Sequence, residues 1–301
     1  MRQHLRIEAP VVKLLSMKRA ATISGVLFLA IACSSSSPYL NVNSPTAHGV
    51  SEIKPQFLAQ ELQSASNEAP AVCPADMVEI NGDFCPEIVE NCINLDKSVH
   101  NANGYVRCLE FSPTKCISPE NKKVHMHFCM DTYEWPNKKD VKPIVMVTWY
   151  DMKKSCEDQD KRLCVDNEWS LACEGPEILP YPYGLKRDAM ACNIDHPQRP
   201  WFDASKSPMT PDIVARLDQS VPAGSMPACV SPYGVHDMTG NADEWVVNSN
   251  GHSANHYPYF SGLKGGHWVI GARNRCRPET DAHGPTTVFY EIGGRCCKDI
   301  P

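Results

Sequence analysis

The stretch GVHDMTGNADEW, residues 234–245, gathers Asn241, Asp243 and Glu244 within four positions, next to Gly240 and just before Trp245. Gly240 permits a sharp bend, and clustered oxygens of this kind suit a hard cation such as calcium. The same groups can instead stitch a cation-free turn by bonding backbone amides. The residues alone leave both readings open. The chain also carries fifteen cysteines and eleven histidines. His252 and His256 have i,i+4 spacing, which would put both rings on one face of a helix. Gly251, Pro258 and the neighbouring aromatics point to a loop, so these two are read as surface or packing histidines rather than metal ligands.

Cysteine usage bears on the compartment. Setting Cys33 aside leaves fourteen, an even number, and no CxxC pair occurs. Disulfides in an oxidising exterior are therefore favoured over zinc. The N-terminus agrees with export. Lys18 and Arg19 precede the apolar run 20–32, which is long enough for a signal-peptide core and shorter than a bilayer span. The run ends LAIAC, resembling a bacterial lipobox, so residues 1–32 are expected to be a signal peptide and Cys33 the acylated residue. The alternative is ordinary secretion with cleavage nearby. Met17 can also serve as the start. With no aspartate after Cys33, an outer-membrane lipoprotein facing the periplasm or surface is expected, attached to the membrane through its lipid. Residues 33–301 carry 24 basic and 34 acidic residues. That balance repels phosphate backbones and argues against nucleic acid as a partner.

Several elements must position these groups. Residues 33–72, Cys33 and a run rich in Ser, Asn, Pro and Gln, are read as an acylated tether. The folded part is expected over 73–299, with 73–128 a stapled, irregular collar. MVEI is read as a strand with Asn81-Gly82 as its turn, and HFCMDTYEW as a strand stopping at Pro136. VMVTWYDMKKSCEDQDKRL is read as switching from strand to helix, with Thr148 and Asp151 forming a capping box. A second short helix over 166–175 is expected to start at an Asp166 cap and end at Gly175. With 25 prolines and 17 glycines spread along the chain, a loop-rich α+β fold follows.

The blocks KRLCVDNEWSLACEG, YPYG, GVHDMTGNADEWV, KGGHW and GGRCC, in this order, resemble the formylglycine-generating enzymes, also called sulfatase-modifying factors. The likeness covers about residues 74–299. It implies a loop-rich variant of the C-type lectin fold and two bridges, Cys156–Cys296 and Cys173–Cys276. It also implies a structural calcium held by the Asn241 side chain, the Ala242 carbonyl and Glu244, with Trp245 anchoring the loop. A second, weaker calcium site would begin at Asn193 and Ile194. Asp243 stands where the family often has tryptophan, and would either tighten the site or face solvent.

Active family members oxidise a substrate cysteine with a copper(I)-binding cysteine pair that follows the GGS segment. Here that interval reads GGHWVIGARNRC, with no cysteine before Cys276. Copper is therefore not expected. His267, Trp268, Arg273 and Arg275 are candidates to line what remains of the cleft, where arginines could grip a carboxylate, or else to serve as framework residues. The expected protein is a lipid-anchored binding or structural module of the envelope, with an unidentified protein, peptide or glycan ligand. The alternative is an oxidase of protein cysteines with a relocated site using Cys164, Cys192 or Cys229.

Overall fold

The computed structural model describes residues 71–100, 106–199, 209–249, 260–271 and 273–300. The segment read as a signal peptide, Cys33, the stretch up to residue 70 read as a tether, and the pair His252 and His256 lie outside the described residues. No helix among the described residues is long and apolar enough to cross a membrane.

Strand β1 (Met77–Phe84) pairs antiparallel with β6 (Val124–Asp131). Its two-residue periodicity sends Ile80 and Phe84 inward and leaves Glu79, Asn81 and Asp83 exposed. Asn81-Gly82 is not the expected turn, because the strand runs straight through it. The reason is a close approach: a Cβ at Gly82 would collide with the Tyr233 hydroxyl, which donates to the Asn81 carbonyl at 3.2 Å. Strand β6 ends at Asp131, short of Pro136, where Asp131 turns inward and accepts from the Cys296 amide at 2.9 Å. The short strands β7 (Arg162–Leu163) and β12 (Cys296–Asp299) complete a sheet of order β1-β6-β12-β7. A second sheet, in the order β10-β9-β8-β11, combines β8 (Asp243–Val247), β9 (Ser261–Lys264), β10 (Glu279–Thr280) and β11 (Ile292–Gly294). Only β8 and β11 run parallel in it.

Helix α1 (Trp149–Glu157) begins as expected: Thr148 Oγ1 accepts from the Asp151 amide and the Asp151 carboxylate accepts from the Thr148 amide, both at 3.0 Å. The expected strand before it does not form; Met146, at φ 64°, breaks the extended run. Helix α2 (Asp166–Glu174) is capped differently from the expectation. Val165 is the cap residue, held extended by a bridge to Val247, and its amide donates to the Glu168 carboxylate at 2.8 Å. Asp166 falls inside the helix and accepts from the Asn167 amide and the Ser249 hydroxyl. Gly175, at φ 63°, ends it. A further short helix, α3 (Pro211–Leu217), is capped by the Thr210 side chain.

One apolar cluster packs Ile80, Phe84, Phe128 and Met130 against Trp169 and Leu171 of α2. Another joins Trp149 and Met152 of α1 to Leu163, Trp245, Leu263 and Ile292. The elements are short, and seven disulfides among the described residues supplement them. Cys156–Cys296 and Cys173–Cys276, the pairs the resemblance implied, span 140 and 103 residues. Cys164–Cys297 spans 133. Each long bridge contributes about 3–5 kcal/mol in the chain-entropy account. Successive strand residues face opposite sides, so Cys296 and Cys297 sew β12 to α1 on one face and to the β7–α2 junction on the other.

The collar is more regular than the sequence suggests. It holds two two-stranded sheets, β2 (Ile88–Val89) with β5 (Lys115–Cys116) and β3 (Cys92–His100) with β4 (Val106–Phe111). Cys85–Cys116 and Cys92–Cys108 staple them. Arg107 ties this region to Asp195 at 2.8 Å, and Arg275 pairs with Glu90.

Candidate functional site

Asp243 and Glu244 are consecutive on β8, and the pleat sends their carboxylates to opposite faces. Asp243 turns toward the loop that follows Gly265-Gly266. Its carboxylate accepts from Arg273 at 2.5 and 3.2 Å and from the Gly266 amide at 3.2 Å. His267 Nδ1 lies 3.9 Å away. Burial raises the Asp243 carboxyl, but Arg273 and His267 outweigh it and hold it far below the usual aspartate range. The carboxylate thus neither tightens a metal site nor faces solvent. It fixes the guanidinium, with the imidazole close by, on the wall of a cavity of about 180 Å³, lined also by Gly266, Val269, Ile270, Gly271 and Asn274.

The loop is braced from behind. The buried Arg187 guanidinium pairs with Asp195 at 2.8 Å and donates to the Gly271 carbonyl at 2.9 Å and to Asn274 Oδ1 at 3.2 Å. Asn274 in turn donates to the His267 carbonyl at 2.5 Å. Of the four residues expected on the cleft wall, His267 and Arg273 are there and two are not. Trp268 is fully buried, edge-on to His267 with ring centres 5.7 Å apart. Arg275 faces the collar, paired with Glu90 and stacked over Phe111 at 5.3 Å. Trp268 is apolar and buries itself beside His267, and Glu90 with the Phe111 ring draws Arg275 away from the cavity. Arg187 was missed, since no local pattern in YGLKRD marks it as the brace of a loop more than 80 residues away.

Glu244 turns the other way, into the core. Arg295 grips it with two hydrogen bonds at 2.6 and 2.7 Å, and the Trp169 indole donates to it at 2.8 Å. Beside this pair lie two further buried acids. Glu134 accepts from Asn241 Nδ2 at 2.5 Å and from the Ala242 amide at 2.8 Å. Asp237 accepts from the Gly224 amide at 2.7 Å. Burial, then Asp237 and Glu244, push the Glu134 carboxyl well above its ordinary range. Burial likewise raises Asp237 to about 6.

This geometry does not fit the calcium site expected at Asn241, Ala242 and Glu244. Both Glu244 oxygens are taken by protein donors and the cation facing them is Arg295. Asn241 Oδ1 accepts from Asn193 Nδ2 and the Val221 amide, each at 2.9 Å. The expected second site fares likewise: the Asn193 carbonyl accepts from the Asn241 amide at 3.0 Å, and Ile194 packs on the Cys192–Cys229 bridge. The two stretches are pinned to each other by these hydrogen bonds. Gly240 is required there, at φ 81°, because a Cβ would strike the Asn193 carbonyl. Trp245 does anchor the turn, donating to the Val147 carbonyl at 2.9 Å. Among the described residues no group of three or more His, Cys, Asp or Glu is arranged to hold a metal ion. Copper(I) has no fit either. All fourteen cysteines of the described region are bonded in pairs, including Cys164, Cys192 and Cys229.

The sulfatase-modifying factor enzyme 1-like domain family matches residues 97–300, and the chain belongs to this family. It is 29% identical over 159 residues to the serine/threonine-protein kinase pkn1 of Chlamydia caviae, covering 52% of this chain and 19% of that protein. It is 26% identical over 162 residues to the inactive C-alpha-formylglycine-generating enzyme 2 of Bos taurus, covering 52% of this chain and 50% of that one. The chain thus spans half or less of the length of these relatives. Among solved structures, CarF aligns with 76% of this chain and 99% of its own, at 16% identity and a TM-score of 0.47. PvdO from Pseudomonas aeruginosa aligns with 76% and 95%, at 16% identity and a TM-score of 0.45. The strand-rich, disulfide-stapled α+β architecture is that of the family, the loop-rich variant of the C-type lectin fold.

Proposed function

We propose that this protein is an exported, lipid-anchored member of the family that does not oxidise cysteine and instead binds a ligand in the cleft at His267 and Arg273. The observation that carries the reading is the cleft loop itself. Where the active enzymes place a thiolate pair, the loop after Gly266 offers an imidazole and a guanidinium, the latter fixed on Asp243. Every cysteine of the described region is committed to a bridge, leaving no thiolate there to bind copper(I) or exchange with a substrate cysteine. The inactive designation of the bovine relative is consistent with this. The cavity is smaller than a typical pocket for a whole small molecule. It suits one side chain of a bound peptide or one sugar ring. Seven disulfides accord with an oxidising exterior.

The test incubates purified protein with copper, oxygen and a peptide of the form Cys-x-Pro-x-Arg. The peptide mass stays unchanged on this reading. Conversion of the cysteine CH2SH to an aldehyde would establish the alternative, an oxidase with a relocated site. The anchor is tested separately: Cys33→Ser releases the protein from membranes on fractionation. Retention of that variant, together with wild-type protein carrying no acyl chain, removes the lipoprotein reading.

A further inference from the structure

The outward face of the β1–β6 ladder carries chemistry that the cleft does not use. His125 and His127 are two apart on β6, so both imidazoles stand on the same exposed face. Each is held by a carboxylate of the partner strand. His125 Nδ1 lies 2.8 Å from Asp83 Oδ1, directly opposite in register. His127 Nε2 lies 2.7 Å from Glu79 Oε1, one step along the diagonal. Met126, between them, faces the core side and packs on the apolar cluster, which fixes the direction of both rings.

We propose that His125 and His127 form a two-histidine chelate for a divalent first-row transition ion. The hydrogen-bond pattern leads to this assignment. A metal-ligating histidine characteristically gives its other ring nitrogen to a carboxylate, which sets the tautomer and the ring orientation. Here Asp83 and Glu79 take one nitrogen of each ring. His125 Nε2 and His127 Nδ1 remain as the lone-pair donors, on the solvent side of a sheet whose antiparallel register holds them. Imidazole selects zinc, copper(II) or nickel over calcium and magnesium, and copper(II) binds such a pair most tightly. With two protein ligands, the remaining coordination positions belong to water or to a ligand from outside. The site is separate from the buried Glu244–Arg295 turn and independent of the cleft reading above.

The histidine side chains are 65% and 36% exposed, so replacing them leaves the core untouched. Untagged protein is titrated with copper(II), zinc and nickel, and binding is followed by calorimetry. Paramagnetic broadening of imidazole NMR signals by copper(II) is recorded in parallel. Wild type is expected to bind one ion per chain, with the His125 and His127 signals broadened first. The His125→Gln, His127→Gln double variant should lose that binding without a change in melting temperature. Asp83→Asn and Glu79→Gln act through the rings rather than on the metal, and should weaken binding by about tenfold each while the same two signals still broaden. Unchanged affinity in the double histidine variant, or broadening confined to other histidines, overturns the proposal.

Discussion

Two carboxylates adjacent in sequence, Asp243 and Glu244, end in opposite electrostatic situations. Asp243 is fully paired: Arg273 holds it ionised at the edge of the cleft, with the His267 ring 3.9 Å away. Glu244 shares its single guanidinium, Arg295, with a neighbourhood that also contains Glu134 and Asp237. The cleft side is a balanced pair with an imidazole beside it on the cavity wall. The core side is acid-rich, and one arginine holds it together. Conserving charge balance on one face while overloading the other means that the two sites should respond in opposite directions to pH and to substitution.

The largest effect is expected from removing the shared cation. Arg295→Met leaves Glu244 buried and unpaired beside two other acids, which should cost about 3–5 kcal/mol. A denaturant midpoint within error of wild type would show that the guanidinium is not what holds the turn.

Next comes Asp237→Asn, which tests the overload directly. A carboxyl whose folded-state pKa is raised, here from 3.8 to about 6, favours folding fully below pH 3.8, and that contribution is lost as pH rises through about 6. Wild-type stability should therefore fall between pH 4 and 7 on this account. The asparagine variant keeps the positive φ of 59° that this position requires. It should flatten the fall by on the order of 2 kcal/mol in melts recorded across that range.

Asp243→Asn probes the opposite side and carries the opposite sign. Its depressed pKa contributes stability present above pH 3.8 and lost as pH falls. Weakening the Arg273 pair should cost about 1–3 kcal/mol at neutral pH and less in acid. A variant that is equally destabilised at pH 3 and pH 7 would break the contrast between the two faces. The smallest effect concerns calcium. With Glu244 and Asn241 already satisfied by protein donors, neither added calcium nor a chelator should move the melting temperature, whereas a cation bound only by the folded form would raise it.

How far the sequence foretold this depended on the reach of each signal. Thr148 and Asp151 are three residues apart, and their capping box was readable directly. Gly175 was equally local. Asp166 misled because its helix start is set by a bridge from Val165 to Val247, some 80 residues downstream. The Asn81-Gly82 pair has the composition of a turn, and only the Tyr233 hydroxyl packed on Gly82 explains why the strand continues. The oxygen-rich stretch 241–244 left a calcium site and a hydrogen-bonded turn both open, because its partners lie far away in the chain. Arg295 sits 51 residues away from Glu244 and Glu134 lies 107 residues before Asn241, so the partners that satisfy the turn leave no trace in its own sequence. The cleft was legible through what is missing between Gly266 and Cys276, a feature that needs no long-range geometry.

The central claim, that the fold has spent its thiols on structure, is tested most directly by counting them. Cys33→Ser protein, unfolded without reductant in excess iodoacetamide, should gain no alkyl groups by intact mass, all fourteen remaining cysteines being bridged. Incorporation of two or more groups per chain would free a thiol pair for chemistry and contradict the account.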